Sequence, residues 1–543
     1  MPTLIDIPAE LLEEILSSLS VSDYSTLSRT CKILHTFFSP RIYHTVNWSW
    51  EDDQPSPPYH LLLRTLLGNA RLASYVKVLK SRGGGIVRRE EWETGDCDYD
   101  SNSGWRPIES ARSIWLDGRR AKSSFKSTDV HRVINLISSI ASSSAHKREW
   151  ILEFDRGNVD VIMALILHQI QDIERLDLGF GFMQRSKFIP RVFRHLIDAQ
   201  KSIAVFPHLI SVDLGVDGPH TPSGIWSDLD QSRLFFYLPK ITFFNTIFLE
   251  PSVFAWPSPS ITPRSESLLS LTLRKCTASE DTLEKILSCT PQLRHLVYDH
   301  YRMVACGIPH WESYKELCWT GTVRPKVLVH GPRLSKALAH VQSTLESLVL
   351  KVRFKSKGYY DIKDLGNTDY FCCLVGRVTG FDKMPNLTSL EISWALLLGW
   401  DPDFEEVQAS YRLDFDSQDP FTLDPGVDHF PWPAILPSTI QTLRLRDDLS
   451  DFSHYPYRKI DPINLLEHLL YARKSSLRAL ARVEFLFIWN QWYGREGWPK
   501  VLMKKLLDTC KRDGIKCRIL QEELVRKLSE LVDVIVFDVI HSS

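Results

Sequence analysis

The sequence lacks any surplus of positive charge: 65 Lys and Arg stand against 66 Asp and Glu, a formal net charge of −1. A protein whose main task is to hold a phosphate backbone usually carries a basic excess, so no nucleic-acid partner is expected. Long apolar runs are lacking as well. Runs such as residues 161–167, the longest, and 534–537 fall far short of the ~20 residues needed to span a bilayer, and no membrane partner is expected. Cysteine is sparse and irregularly spaced, ten in 543 residues, which fits reduced thiols better than a disulfide framework. The opening stretch MPTLIDIPAELLEEIL is acidic and has no basic n-region, so it does not read as a signal peptide. The expected setting is intracellular: cytoplasm, nucleus or both.

Catalytic signatures are missing too. There is no Gly-x-Ser-x-Gly elbow, Walker loop or His-Glu-x-x-His helix. Gly83-Gly84-Gly85 lacks the lysine and helix context of a phosphate cradle and reads as a hinge. His295, His300, Cys306 and His310 are residue types that zinc accepts, but their spacing matches no familiar site. The reading is of a protein with no catalytic residues, no metal and no cofactor.

What is present begins with a helical N-terminus. Asp6 is placed to cap a helix with Pro8 in its first turn, where the missing N–H costs nothing. Leu11, Leu12, Ile15, Leu16 and Leu19 follow at helical spacing. Ser22 or Asp23 is expected to cap a second helix, in which Tyr24, Leu27, Cys31 and Leu34 recur every three or four residues. Phe37 and Phe38 continue that face until Ser39-Pro40 breaks it. Helices this short bury little surface alone, so periodicity by itself reads equally as a cap on the domain that follows.

The residue identities add more. Leu4-x-x-Ile7-Pro8-x-Glu10-Leu11-x-x-x-Ile15-x-x-x-Leu19, then Asp23-x-x-x-Leu27, Cys31-Lys32 and Pro40-Arg41-Ile42-Tyr43, resembles the F-box motif along its length. Three departures stand out: Ile7-Pro8 where the family has Leu-Pro, Asp23-Tyr24 where it often has Asp-Leu, and Tyr43 where it often has Trp. All three keep an apolar surface. The resemblance implies a three-helix F-box domain over residues 1–47 that binds a Skp-type adaptor and, through it, a cullin. The residues it implies for Skp binding are Ile7, Pro8, Leu11, Leu12, Ile15, Leu19, Leu27, Cys31 and Leu34.

The rest of the chain exceeds what one ordinary core organises, so several domains or a repeat architecture are expected. The pattern Leu-x-x-Leu-x-Leu appears at Leu268-x-x-Leu271-x-Leu273, with Cys276 trailing, and recurs starting at Leu293, Leu345, Leu387 and Ile440. Degenerate copies start at Ile173 and Leu209, and a late one is read as Val483-x-x-Leu486-x-Ile488. Each closing Leu-x-Leu is a period-two strand with one buried face. Between the copies at Leu268 and Leu293, Ser279 caps a helix with a Leu283, Ile286, Leu287 stripe. Strand, turn and helix in so short a span resemble one leucine-rich repeat, although an unrelated α/β domain with leucine-rich strands produces similar triplets. Residues 60–79 look like the segment that follows the F-box in many fungal F-box proteins, where a helix leads into the first strand of a solenoid.

The expected fold class is therefore α/β: an N-terminal F-box, then an irregular leucine-rich-repeat-like β/α solenoid over residues 58–520. Insertions are expected near 83–107 and 401–428, and a helical tail over 521–543. The expected function is substrate recognition for a Skp–cullin–F-box ubiquitin ligase, with a protein client of unknown identity. The alternatives are a Skp-binding structural or regulatory protein that promotes no ubiquitination, and an enzyme with an appended F-box. Side chains between the strand leucines point away from the core. Among them Arg274, Lys351, Arg444 and Arg446 are expected to form a basic client-binding patch, with the acidic 401–428 segment as an internal competitor.

Overall fold

The computed structural model describes residues 11, 14–15, 18–50, 57–83, 125–179, 182, 186–199, 206–215, 230–248, 254–258, 262–304, 329–356, 374–398, 432–448, 462–489, 500–527 and 530–541. The chain divides into two compact units, Met1–Ile241 and Thr242–Ser543. The segments expected as insertions, apart from Gly83, lie outside the described residues, as do Ile7, Pro8 and Leu12.

In the first unit, α1 (Val21–Ser28) and α2 (Lys32–His44) lead directly into strand β1 (Thr45–Trp50). The boundary expected at residue 47 thus falls inside β1. The stripe from Tyr24 to Leu34 is shared between two helices, because Cys31 is extended at φ −155°, ψ 164°. Pro40 does not end α2; it sits within it. Helices α3 (Tyr59–Gly68) and α4 (Ala70–Tyr75) precede β2 (Val78–Gly83), so a helix-to-strand passage does occupy 60–79, but β2 is the second strand. Strands β3 (Arg175–Leu178) and β4 (Ser211–Leu214) follow. Neighbours β1-β2-β3-β4 all pair parallel.

Helices α5 (Ser127–Ile140), α6 (Ser144–Asp155) and α7 (Val159–Gln169) cross between β2 and β3. Helix α7 is apolar on all sides and buried from Val159 to Leu167, as a helix enclosed by its neighbours must be. Its one buried carboxylate, Asp160, is used: Oδ1 accepts from Ser186 Oγ at 2.5 Å, and Oδ2 from the N–H groups of Lys187 at 2.6 Å and Phe188 at 3.0 Å. These amides lie at the start of α8 (Ile189–Ala199), where donors without helical partners need an acceptor.

In the second unit the strands of the main sheet are β5 (Phe243–Ile247), β6 (Ser270–Cys276), β7 (His295–Val304), β8 (Ser347–Ser356), β9 (Ser389–Ser393), β10 (Thr442–Asp447), β11 (Arg482–Trp489), β12 (Lys516–Lys527) and β13 (Glu530–His541), and Val329–His330 pairs separately with Leu374–Val375. Each lies beside the one before it in this order. All pairs are parallel except β12 with β13. The triplet residues fall in register: Leu271, Leu296, Leu348, Leu390, Leu443, Val483 and Cys517 face one another strand to strand, as do Leu273, Tyr298, Leu350, Ile392, Leu445, Phe485 and Ile519. All are buried.

One backbone arrangement recurs. Two successive amides at the start of a strand share one carbonyl of the strand before it. Leu269 and Ser270 bond Thr242 O, Arg294 and His295 bond Leu269 O, Glu346 and Ser347 bond Arg294 O, and Gln441 and Thr442 bond Thr388 O. Helices α9 (Glu280–Leu287), α10 (Gly331–Leu338), α11 (Pro462–Ser475) and α12 (Lys500–Arg512) lie between strands. Ser279 caps α9 by accepting from Thr282 N. At the end of α12, Gly514 has φ +68°, with Gly514 N bonded to Lys511 O and Ile515 N to Cys510 O. That left-handed closure is why the helix stops there.

Two expectations are corrected. The late triplet is Leu480-x-x-Val483-x-Phe485, three residues earlier than read, because these are the fully buried residues in register with the triplet of β10. The tail over 521–543 is strand rather than helix where described: β12 runs through 520 to Lys527 and pairs antiparallel with β13. Val532, Val534, Ile535, Val536, Val539 and Ile540 make that segment dense in β-branched residues, which favour the pleated form.

Replacing Asp160 with Ala leaves the amides at the start of α8 without their acceptor, and is expected to cost about 2 kcal/mol. A lowered urea midpoint for the first unit checks this; an unchanged midpoint contradicts it.

Candidate interaction surfaces

The N-terminal helices present two faces. Ser20, rather than Ser22 or Asp23, caps α1. Its Oγ accepts from Asp23 N at 3.3 Å and donates to Asp23 Oδ2 at 2.7 Å, and Ser20 N donates to the same oxygen at 2.8 Å. These bonds hold the Asp23 carboxyl below its ordinary pKa. Leu34 and Phe38 form the inner face, with Leu19, Tyr24, Leu27, Phe37 and Ile42 packed against them. Tyr24 stacks on Phe38 at 5.4 Å, and the Arg41 guanidinium covers Phe37 at 4.5 Å.

The residues expected to bind Skp therefore separate. Leu34 is buried and Leu19 and Leu27 are half-buried, all turned to the helices' own core, whereas Leu11, Ile15 and Cys31 are exposed. The structure adds Val21 and Ile33, both exposed, which a search for a single stripe passes over because they lie off it. Of the nine large apolar side chains that stand exposed among the described residues, four lie between residues 11 and 33. Exposed apolar side chains gathered in one stretch are the material from which contact surfaces are built.

The second surface lies on the sheet of the second unit, on the face opposite the leucines. Across β9, β10, β11 and β12 the register places Glu391 beside Arg444, Arg444 beside Glu484, and Glu484 beside Arg518, a row of alternating sign. Arg444 bridges its neighbours: Nη1 to Glu391 Oε2 at 2.6 Å and Nη2 to Glu484 Oε2 at 2.5 Å. Arg446 reaches Glu391 Oε1 at 2.7 Å and Asp448 Oδ1 at 2.9 Å, while Asp448 Oδ2 accepts from Val352 N. Lys351 Nζ lies 3.7 Å from Glu391 Oε1. Burial acts to raise the Glu391 pKa, but Arg446, Lys351 and Arg444 outweigh it and hold the carboxyl below its usual 4.5. Burial likewise opposes the charge on Arg444, yet Glu391 and Glu484 raise its pKa.

The basic patch expected from Arg274, Lys351, Arg444 and Arg446 is thus corrected. Three of the four converge on one carboxylate, and Arg446 is buried between two. Arg274 is exposed on β6, two strands from β8. Glu484 goes unnoticed in the sequence because the late triplet is read three residues out of phase. Asp448 goes unnoticed because it lies just past the end of β10. The first unit has a smaller ion pair of its own between neighbouring strands, Arg82 Nη2 to Asp177 Oδ2 at 2.6 Å.

None of these groups pairs a nucleophile with a base. Among the described residues no three His, Cys, Asp or Glu are grouped to hold a metal ion, and no helix is long and apolar enough to cross a membrane. His300 of the zinc-compatible set is buried with Nδ1 2.9 Å from Tyr298 Oη; Cys306 and His310 lie outside the described residues.

Residues 4–44 match the F-box domain family. No curated protein matches the chain. The match ends where β1 begins, at Thr45, and takes in all four of the exposed apolar side chains.

Removing one partner from a buried ion pair strands the other charge and costs about 3–5 kcal/mol; Arg446→Met is expected to fall in that range. The Glu391 pKa is depressed by folding, so the stability it supplies is complete above about pH 4.5 and is lost as pH falls through its folded value. Thermal melts of wild type and Glu391→Gln are therefore expected to differ at pH 7 and to converge in acid. A difference that persists unchanged at low pH contradicts this.

Proposed function

We propose that this chain is a client receptor of a Skp–cullin ubiquitin ligase. An F-box is the module that generally docks such receptors on a Skp-type adaptor, and proteins that carry it are typically non-catalytic subunits. The observation that carries the reading is that the F-box match coincides with the exposed apolar cluster Leu11, Ile15, Val21 and Ile33. Cys31, exposed at the cap of α2, borders it. In this reading Ile7, Pro8 and Leu12 extend the docking face, while Leu19, Leu27 and Leu34 support it from behind. Residues 58–520 form an irregular leucine-rich-repeat-like solenoid of the kind found in fungal F-box proteins, and that region holds the client. The in-register triplets, the shared-carbonyl turns and the intervening helices support this.

No chemistry is required of the receptor. Holding a client beside the ubiquitin-carrying enzyme turns an encounter between partners into a local reaction.

Placing a carboxylate in an apolar interface anchor costs on the order of 2 kcal/mol or more, about 30-fold in affinity. Ile15→Asp and Ile33→Asp are each expected to release Skp while far-UV circular dichroism shows the helices intact, since neither side chain is in the core. Leu34→Asp is expected to lose both. Skp retained by both exposed-site variants contradicts the docking face. Cullin absent from complexes that contain Skp favours the structural or regulatory alternative.

A further inference from the structure

The charged row on β8 to β12 is sorted by depth. The carboxylates lie beneath: side-chain exposure is 10% for Glu391, 1% for Glu484 and 0% for Asp448. The cations other than the buried Arg446 lie above: 22% for Lys351, 31% for Arg444, 37% for Arg518 and 45% for Arg482. Lys516, beside Arg482 in register, is exposed as well. The closest contact of Arg482 with Glu484 is 3.9 Å, too long to be a hydrogen bond. These three carboxylates are paired within the sheet, and among the described side chains from β8 to β12 on this face the charges that reach solvent are positive; Asp299 on β7, partly exposed beside Lys351, marks the edge of the patch.

The spread of the cations selects a ligand shape. Lys351 stands on β8 and Lys516 on β12, four strand spacings apart, and four residues apart along the strands, since Lys351 follows and Lys516 precedes the row Leu350, Ile392, Leu445, Phe485 and Ile519; at ~4.8 Å per spacing and ~3.3 Å per residue the two lie about 23 Å apart on a diagonal. A single phosphate meets one or two of these heads. An extended acidic peptide of about seven residues, at ~3.3 Å per residue, spans that diagonal.

We propose that this face binds an extended, carboxylate-rich peptide segment of the client, running across the strands, with Arg482 and Lys516 as its main contacts. The proposal rests on reading the chain as a client receptor. It revises the patch read from the sequence, because Arg446 is a buried scaffold for the surface and Arg274 is not part of it.

Fluorescein-labelled heptaglutamate, titrated against the full chain and followed by anisotropy, tests the assignment, with a Gly/Ser heptapeptide as control. Heptaglutamate is expected to bind and the control not to, with binding that weakens as salt rises. Arg482→Glu combined with Lys516→Glu is expected to lower affinity at least ~10-fold with Skp capture unchanged. Both side chains are exposed, and Arg482→Gln with Lys516→Gln guards against misfolding from the reversal. Equal affinity in wild type and both double variants overturns the proposal. So does tighter binding of an otherwise neutral phosphoserine heptapeptide. Binding only after residues 401–428 are removed makes the chain's own acidic segment the occupant and overturns the client assignment. Skp capture without any peptide binding sinks this inference and leaves the receptor reading intact; a chain that fails to capture Skp sinks that reading itself.

Discussion

The second unit depends on one backbone constraint: each strand must offer its amides to the strand before it while burying every second side chain. Two amides that share one carbonyl at the entrances of β6 to β11 set the register, and the buried triplet then has a single phase in which all its members meet. A slip of one residue would turn each leucine to the other face. With the register fixed, the residues between the leucines have neighbours as definite as those in the core. That is why Glu391, Arg444, Glu484 and Arg518 meet in a row although they are far apart in sequence.

The row shows how a sheet face handles opposite charges at close quarters. Buried ion pairs are weak evidence of stability, since desolvation offsets most of their attraction, but removing one member is costly. Here the acids are shorter than the bases and stay at the level of the strands with Arg446, while the longer stems of Lys351, Arg444, Arg482 and Arg518 carry their charges outward. A face whose buried charges are largely balanced thereby presents mainly cations to solvent. The F-box sorts by a comparable rule: Leu34 and Phe38 fill the helices' own core, leaving Leu11, Ile15, Val21 and Ile33 exposed.

Much of the fold was legible because leucine at period two is a strong signal. The triplets starting at Leu268, Leu293, Leu345, Leu387 and Ile440 all lie on paired strands. Two were missed, Val76-Leu79-Ser81 and Ile241-Phe244-Thr246, all buried, because hydroxyl or aromatic residues take leucine positions. The late copy was misphased because Val483, Phe485, Leu486 and Ile488 offer two alternations in one strand. Alternation placed Arg446 on the outward face correctly but carries no information on depth, so a buried ion pair was read as a free patch. At the N-terminus, helical spacing grouped Leu19, Leu27 and Leu34 with Leu11 and Ile15, since one period serves both a core and an interface.

The central claim is that residues 4–44 link this chain to a ligase while the remainder selects a client. Affinity purification under proteasome inhibition, comparing the full chain with one lacking residues 4–44, tests it most directly. The account predicts that Skp and cullin are lost on deletion while a set of client proteins stays bound to both forms, ubiquitinated only with the full chain. Retention of Skp by the deleted form, or client proteins equally ubiquitinated with and without these residues, would contradict it.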